Sequence, residues 1–247
     1  MLVLLSPARN IRPQAIPGVR PERPLFLAQA AELAKELRQR DSWQLESLLD
    51  LSPERALEMY AAYQMFSPEQ PGTPALTSYY GAAYRCMNPI DFSKKELAFA
   101  QDTLRMLSAL YGVLRPFDGI LPHRLGLGKE FRIDGMDLYS YWGDRISREI
   151  FRTGEQVINL ASMDYAKLLN PRREMFTCRF VLRKPDGLRG TVSTVRAARG
   201  MMARYIVKNR IKNPEELREF DLDGYRFAPA HSDSLTYTFV KEPEWIG

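Results

Sequence analysis

The sequence predicts a mixed α/β fold of the α+β kind: one compact domain over residues 1–247, with a central mixed sheet flanked by helices. Three observations carry this. The short apolar runs Leu2-Val3-Leu4-Leu5 and Val157-Ile158-Asn159-Leu160-Ala161 read as buried strands. Between and after them lie segments with capping signals and helical apolar spacing. Neither an internal repeat nor a long flexible linker divides the chain. Its 247 residues, 45% hydrophobic and 26% charged, exclude a disordered chain, a fibre or a disulfide-stapled miniprotein.

In chain order, Ser6-Pro7 ends the first strand and leaves Arg9 on a loop. A Pro-rich connector leads into a helix from about Leu25 to Arg40, and Ser52-Pro53-Glu54 starts another running to about Phe66. Ala75 to Tyr84 is ambiguous, with a possible strand ending near Tyr79 and a turn at Gly81. Ser93 and Glu96 form a capping box. The helix they open is expected to reach Gly112 and, being apolar on two faces, to be central. Asp137 starts a helix to about Phe151, and Ser162 or Asp164 caps a short one. Two strands, Met175 to Arg183 and Leu188 to Val195, flank a Pro185-Asp186-Gly187 turn. Helices from Arg196 to Ile211 and Pro214 to Phe220, then strands near Tyr225 to Phe227 and Leu235 to Val240, complete the chain.

Net charge is +5, but unevenly placed. From Arg172 to Arg218 thirteen basic residues face four acidic ones, a local excess of nine on an otherwise slightly acidic chain. Such asymmetry points to an anionic partner. The apolar run at the N-terminus is too short for a signal segment or a membrane span, so a cytoplasmic protein without membrane association is expected. Cys86 and Cys178 form no CxxC pair, and two histidines, His123 and His231, are too few for a histidine-based metal site without carboxylates. No metal or cofactor is expected.

On the Arg196 to Ile211 helix, Arg196, Arg199 and Arg210 cluster around Gly200 and Ala203, whose small size would let a phosphate approach. Arg204 and Lys208 add charge on a flank; the competing reading is a solvated helix paired with acids from elsewhere. The strand-end loops at Ser6 and at Asn159 to Ser162 are further candidates, because ligands gather at the carboxyl ends of strands in open sheets. Ser162 is either a helix cap or an anion ligand. Gly126-Leu127-Gly128-Lys129 lacks the spacing of a phosphate loop. Cys86 beside Arg85 is a candidate for a lowered thiol pKa, or else a structural cysteine.

Leu4-Leu5-Ser6-Pro7-Ala8-Arg9, the thirteen residues from Leu104 to Pro116 with their Leu-Tyr-Gly-Val-Leu-Arg-Pro string, Asp137-Leu138-Tyr139 with Trp142-Gly143-Asp144, Val157 to Ser162, and Ala198 to Ile206 together resemble the YaaA family of bacterial peroxide-stress proteins. The resemblance implies a single α/β domain with a basic cleft and a helix-hairpin-helix-like element, in a cytosolic protein that binds DNA and limits oxidative damage. A hairpin of that kind grips the phosphate backbone without reading sequence, and its expected place is Tyr111-Gly112-Val113. Arg115, Arg124, Arg199 and Arg204 match basic positions of the family pattern. The sequence also departs from that pattern. Arg9 stands for a lysine and Arg12 for an acid, Tyr80 and Ala82 replace a lysine and an aspartate, and Gly126 replaces a glutamate.

Two functions of different class follow. One is sequence-independent DNA binding, with Arg9, Arg115, Arg124, Arg196, Arg199, Arg204 and Arg210 assisted by Ser6, Asn159 and Ser162. The other is an enzyme acting on a small anionic or nucleotide-like substrate in the same cleft, for instance in a biosynthetic pathway. There Arg9, Arg115 and Arg199 hold carboxylate or phosphate, and Tyr84, Cys86 or Asp144 supplies acid/base chemistry.

Overall fold

A computed structural model describes residues 1–128 and 130–242. Lys129 of the Gly126 to Lys129 string and residues 243–247 of the expected domain lie outside the described residues. β1 (Leu2–Leu5) is buried along its whole length, as a strand covered on both faces must be. β2 (Asn10–Ile11) follows the Ser6-Pro7 break. α1 (Leu27–Arg38) buries Leu27, Ala30, Leu33, Ala34 and Leu37 as one stripe. α2 (Ser42–Leu49) opens on a capping box of Asp41 with Gln44, and α3 (Pro53–Gln64) begins four residues after it ends, with Asp50 turning the chain at φ 55°. β3 (Thr73–Pro74), α4 (Ala75–Ser78) and β4 (Tyr79–Tyr80) lead into α5 (Ala82–Met87).

α6 (Lys94–Thr103) has the expected Ser93–Glu96 capping box but stops nine residues short of Gly112. Leu104–Ser108 is instead β5, parallel to β1 with Val3 opposite Leu104 and Leu5 opposite Met106. Its double apolar face belongs to a strand buried on both sides, and pairing with β1 outweighs the helical spacing. The chain turns through Ala109, Leu110 and Tyr111 into β6 (Gly112–Leu114), antiparallel to β5. Gly112 takes φ 70°, and a Cβ there would meet the Trp142 ring at 2.8 Å. Tyr111-Gly112-Val113 is therefore a buried β-hairpin and not a helix-hairpin-helix: Tyr111 is 1% and Val113 3% exposed.

β7 (Gly119–Ile120) follows. The single helix expected from Asp137 is two, α7 (Leu138–Trp142) and α8 (Arg145–Ile150), broken where Gly143 takes φ 50°. β8 (Val157–Asn159), α9 (Met163–Ala166), β9 (Phe176–Lys184) and β10 (Gly187–Arg189) come next. The β-branched run up to Val195 is not a strand. Thr191 and Thr194 cap each other there and open α10 (Val192–Asn209) four residues before Arg196. Pro214–Glu219 is a 3-10 helix; β11 (Tyr225–Phe227) and β12 (Thr236–Lys241) end the fold.

The main sheet runs β11-β12-β9-β8-β1-β5-β6, with β10 pairing on β9. β5, β1, β8, β9 and β12 are mutually parallel, and β6, β10 and β11 are antiparallel additions. After β1 the chain builds β5 on one side, and then crosses to build β8, β9 and β12 on the other. Loops leaving β1 and β8 thus diverge, and a crevice opens between their carboxyl ends.

Candidate anion-binding cleft

The crevice is a cavity of about 690 Å³ lined by the ends of β1 and β8, the Tyr80 to Tyr84 segment, the Arg124 to Gly128 loop and the start of α10. Its floor is tied across the switch point. The Ser162 N–H donates to Ser6 Oγ at 2.8 Å, and Ser6 Oγ donates to Ser162 Oγ at 3.2 Å. The Tyr84 hydroxyl donates to the Ser6 carbonyl at 3.0 Å.

Four arginines line the cavity, Arg9, Arg124, Arg196 and Arg199, against one carboxylate among the described lining residues, Asp164. Arg124 donates a long hydrogen bond of 3.5 Å to the Asp50 carbonyl. Arg9, Arg196 and Arg199 make no ion pair or hydrogen bond among the described residues. Burial, and then the neighbouring Arg196 charge, pull the Arg199 pKa down, and its Nε is buried without a partner. Arg196 and Arg199 are one helical turn apart and share a face. Val192 and Ser193, at the first turn of the 18-residue α10, also line the cavity, so the positive end of that helix dipole faces it too. Like charges held together without acids cost free energy unless an anion joins them.

Gly200 positions this face. A Cβ on it would overlap the carbonyl oxygen of Ala83, so α10 lies directly on α5. The small residues between the arginines thus admit α5 rather than a phosphate, which corrects the sequence-based expectation.

The other expected site residues divide sharply. Arg9, Arg124, Arg196, Arg199, Ser6, Ser162 and Tyr84 all line the cavity. Ser162 stands at the N-cap position of α9 but makes no side-chain cap bond. Asn159 turns inward, accepting from the Ala161 N–H at 2.9 Å. Arg115 is held by Glu22 at 2.8 Å and by buried Asp118 at 3.1 Å. Arg204 forms a bidentate pair with Asp91, at 2.8 and 2.7 Å, and Lys208 bridges to Glu96 at 3.0 Å. Arg210 is the exposed left-handed C-cap of α10, about 16 Å along the axis from Arg199 at 1.5 Å per residue. Asp144 is 68% exposed and paired with Arg148. Cys86 is half-buried, and burial raises its thiol pKa, outweighing Arg85. None of Arg115, Arg204, Arg210, Asp144 and Cys86 is in the lining. The basic segment is likewise partly neutralised, since Arg183, Arg189, Arg204, Lys208 and Arg218 pair with acids.

Tyr80, named from the sequence as a departure from the family pattern, lines the cavity, and two further lining residues, Tyr165 and His123, escaped the sequence reading as cleft groups. Tyr80 lies under the Arg12 guanidinium at 3.6 Å, and Arg85 first, then Arg12, lower its phenol pKa. Tyr165 contributes a half-buried ring. His123 is 7% exposed, its Nδ1 lies 2.8 Å from the Leu121 carbonyl, and burial lowers its pKa to about 4. A polar His-Arg step inside the apolar series Leu121, Leu125, Leu127 was the available signal. Among the described residues no three His, Cys, Asp or Glu converge as metal ligands, and no helix is long and apolar enough to cross a membrane.

The model of the peroxide stress protein YaaA family matches residues 1–231. A UPF0246 protein of Caulobacter vibrioides is 38% identical over 98% of this chain and 99% of that protein. UPF0246 proteins of Hahella chejuensis, 36% identical, and of Clostridioides difficile, 30% identical, each align over 98% of this chain and all of their own length.

Proposed function

The chain belongs to the YaaA family of peroxide stress proteins, and from that premise we propose that it acts in the cytoplasmic response to peroxide as one domain that holds DNA, independently of sequence, by phosphate in the arginine cleft. The observation that carries this reading is the set of Arg9, Arg196 and Arg199, which make no ion pair among the described residues, at the strand-end crevice, with the α10 N-terminus beside them. Guanidinium forks match phosphate geometry. A cavity of about 690 Å³ is the size of a small-ligand site, so a strand end or an unpaired nucleotide enters while the rest of the DNA lies on the rim. Leu49, at the end of α2, is in the lining, which supports reading the α2–α3 pair as the helical hairpin contact that the family resemblance implies.

A second reading, a small anionic or nucleotide-like substrate, is favoured by one observation. Arg9, Tyr80, Ala82 and Gly126, four positions that depart from the family pattern, all line the cavity. Under that reading Asp144 and Cys86 lose their acid/base roles by position. Tyr84 loses its role because its hydroxyl is committed to Ser6 and burial pushes its pKa well up.

Competition separates the two. Fluorescence anisotropy with a labelled single-stranded oligonucleotide at low salt is expected to show binding that unlabelled oligonucleotide of any sequence displaces far better than a mononucleotide does. Equal displacement by the mononucleotide supports the second reading, and no binding of either at low salt removes both.

A further inference from the structure

We propose that the inner end of the cleft is an uncharged hydrogen-bond subsite, in which the Nε2 lone pair of His123 accepts from an N–H or O–H donor on the same ligand whose phosphate the arginines hold. The ligand class is then a nucleoside monophosphate unit rather than a bare inorganic anion. The inference rests on the reading of the arginine cleft as a phosphate site and adds what lies beyond the phosphate.

The tautomer follows from the hydrogen bonding. A carbonyl oxygen only accepts, so the 2.8 Å contact between His123 Nδ1 and the Leu121 oxygen places the ring proton on Nδ1. The Leu121 peptide cannot swing away, because its N–H donates to the Tyr111 hydroxyl at 3.1 Å. The ring is clamped edge-on between Tyr111, at 5.1 Å and 69°, and Tyr79, at 6.3 Å and 79°. Nε2 is therefore an unprotonated acceptor with a fixed direction. No described residue donates to it, yet it is absent from the sealed, unpartnered polar atoms, and His123 lines the cavity. Burial, outweighing the hydrogen bond to the Leu121 carbonyl, lowers the imidazole pKa to about 4 and keeps the ring neutral at physiological pH.

An acceptor facing an anion site is poorly matched by inorganic phosphate, which offers mainly oxygen acceptors at neutral pH. A nucleotide resolves the mismatch, because its sugar hydroxyls and base amines supply donors at the end remote from the phosphate. The wall suits such a group: Leu5, Leu127 and Leu160 give apolar faces, and buried Ser108 also lines the cavity. A free mononucleotide and the 5′-terminal nucleotide of a DNA strand share this chemistry.

Titration calorimetry with three probes tests the subsite: inorganic phosphate, adenosine 5′-monophosphate and a short 5′-phosphorylated oligonucleotide. They are titrated into the wild type, His123→Asn and His123→Gln. Asn keeps a donor near the Nδ1 position and removes the outer acceptor, while Gln carries an acceptor near the Nε2 position. Phosphate is expected to bind all three proteins alike, which also reports that the variants are folded. The advantage of the mononucleotide over phosphate is expected to fall about tenfold in His123→Asn, the worth of one hydrogen bond, and to recover in part in His123→Gln. Oligonucleotide binding with the same His123 dependence supports a strand end as the source; mononucleotide binding with the oligonucleotide excluded supports a free nucleotide. A mononucleotide that binds no tighter than phosphate, or equally well to His123→Asn, overturns the subsite alone. Failure of phosphate to bind the wild type overturns the arginine site and the subsite together.

Discussion

Replacing Arg199 by Met separates a residue kept for ligand binding from one kept for stability. The thioether retains most of the half-buried stem and removes the guanidinium, whose Nε is buried without a partner and on which Arg196 is the leading neighbouring charge. An unsatisfied buried donor costs about 1–3 kcal/mol. With some packing lost, Arg199→Met is expected to gain about 1 kcal/mol in phosphate-free buffer, or about 2–4 °C in Tm for a chain of this size. Phosphate at a hundred times its Kd stabilises the wild type by about 2.7 kcal/mol. If Arg199 supplies a charge-assisted hydrogen bond of about 1.5–3 kcal/mol, the variant's Kd rises about ten- to a hundredfold. The same phosphate then stabilises the variant by at most about 1.4 kcal/mol. Thermal melts against phosphate concentration should therefore cross, with the variant melting higher without phosphate and lower at saturation. A variant less stable than wild type without phosphate, yet showing the full phosphate shift, would refute the reasoning.

Gly200→Ala sets a Cβ against the Ala83 carbonyl; denaturant melts should show a loss of about 2 kcal/mol or more, and phosphate affinity should fall as Arg196 and Arg199 move. Arg115→Ala leaves the cleft intact but strips buried Asp118 of its partner, so it should lose about 2 kcal/mol at neutral pH with unchanged phosphate Kd. Burial already raises the Asp118 pKa to about 6, and without Arg115 it rises further. The protonated acid needs no cation, so the Arg115→Ala penalty should shrink as pH is lowered through that value. For His123, whose folded pKa of about 4 lies below the unfolded 6.5, the contribution is complete above pH 6.5 and is lost as pH falls through 4. That amounts to about 3 kcal/mol, and acid melts of His123→Asn should be correspondingly flatter.

What the sequence made legible was local. β1 shows itself as a wholly apolar run and β8 as one broken only by Asn159, and the start of α6 shows itself through Ser93 and Glu96. β5 was hidden because Leu104, Leu107 and Tyr111 fit a helical period, and only pairing with β1, a hundred residues away, decides the matter. The start of α10 was hidden by β-branched residues that favour strands until Thr191 and Thr194 cap one another. In the site, Ser6, Arg9 and Arg199 followed from strand-end loops and a helix face. Arg204 misled because its partner, Asp91, lies 113 residues away in sequence, so no local pattern reveals that its charge is spent. His123 was passed over because its role depends on which nitrogen faces the cavity, a fact of geometry alone.

The salt dependence of binding a 5′-phosphorylated single-stranded oligonucleotide probes the arginine cleft most directly. With Arg9, Arg196 and Arg199 on phosphate, log K against log salt should have a slope of about −2, and the triple alanine variant should approach zero, while Arg204→Ala keeps the wild-type slope. No binding at low salt, or an unchanged slope in the triple variant, would contradict the cleft as the phosphate site.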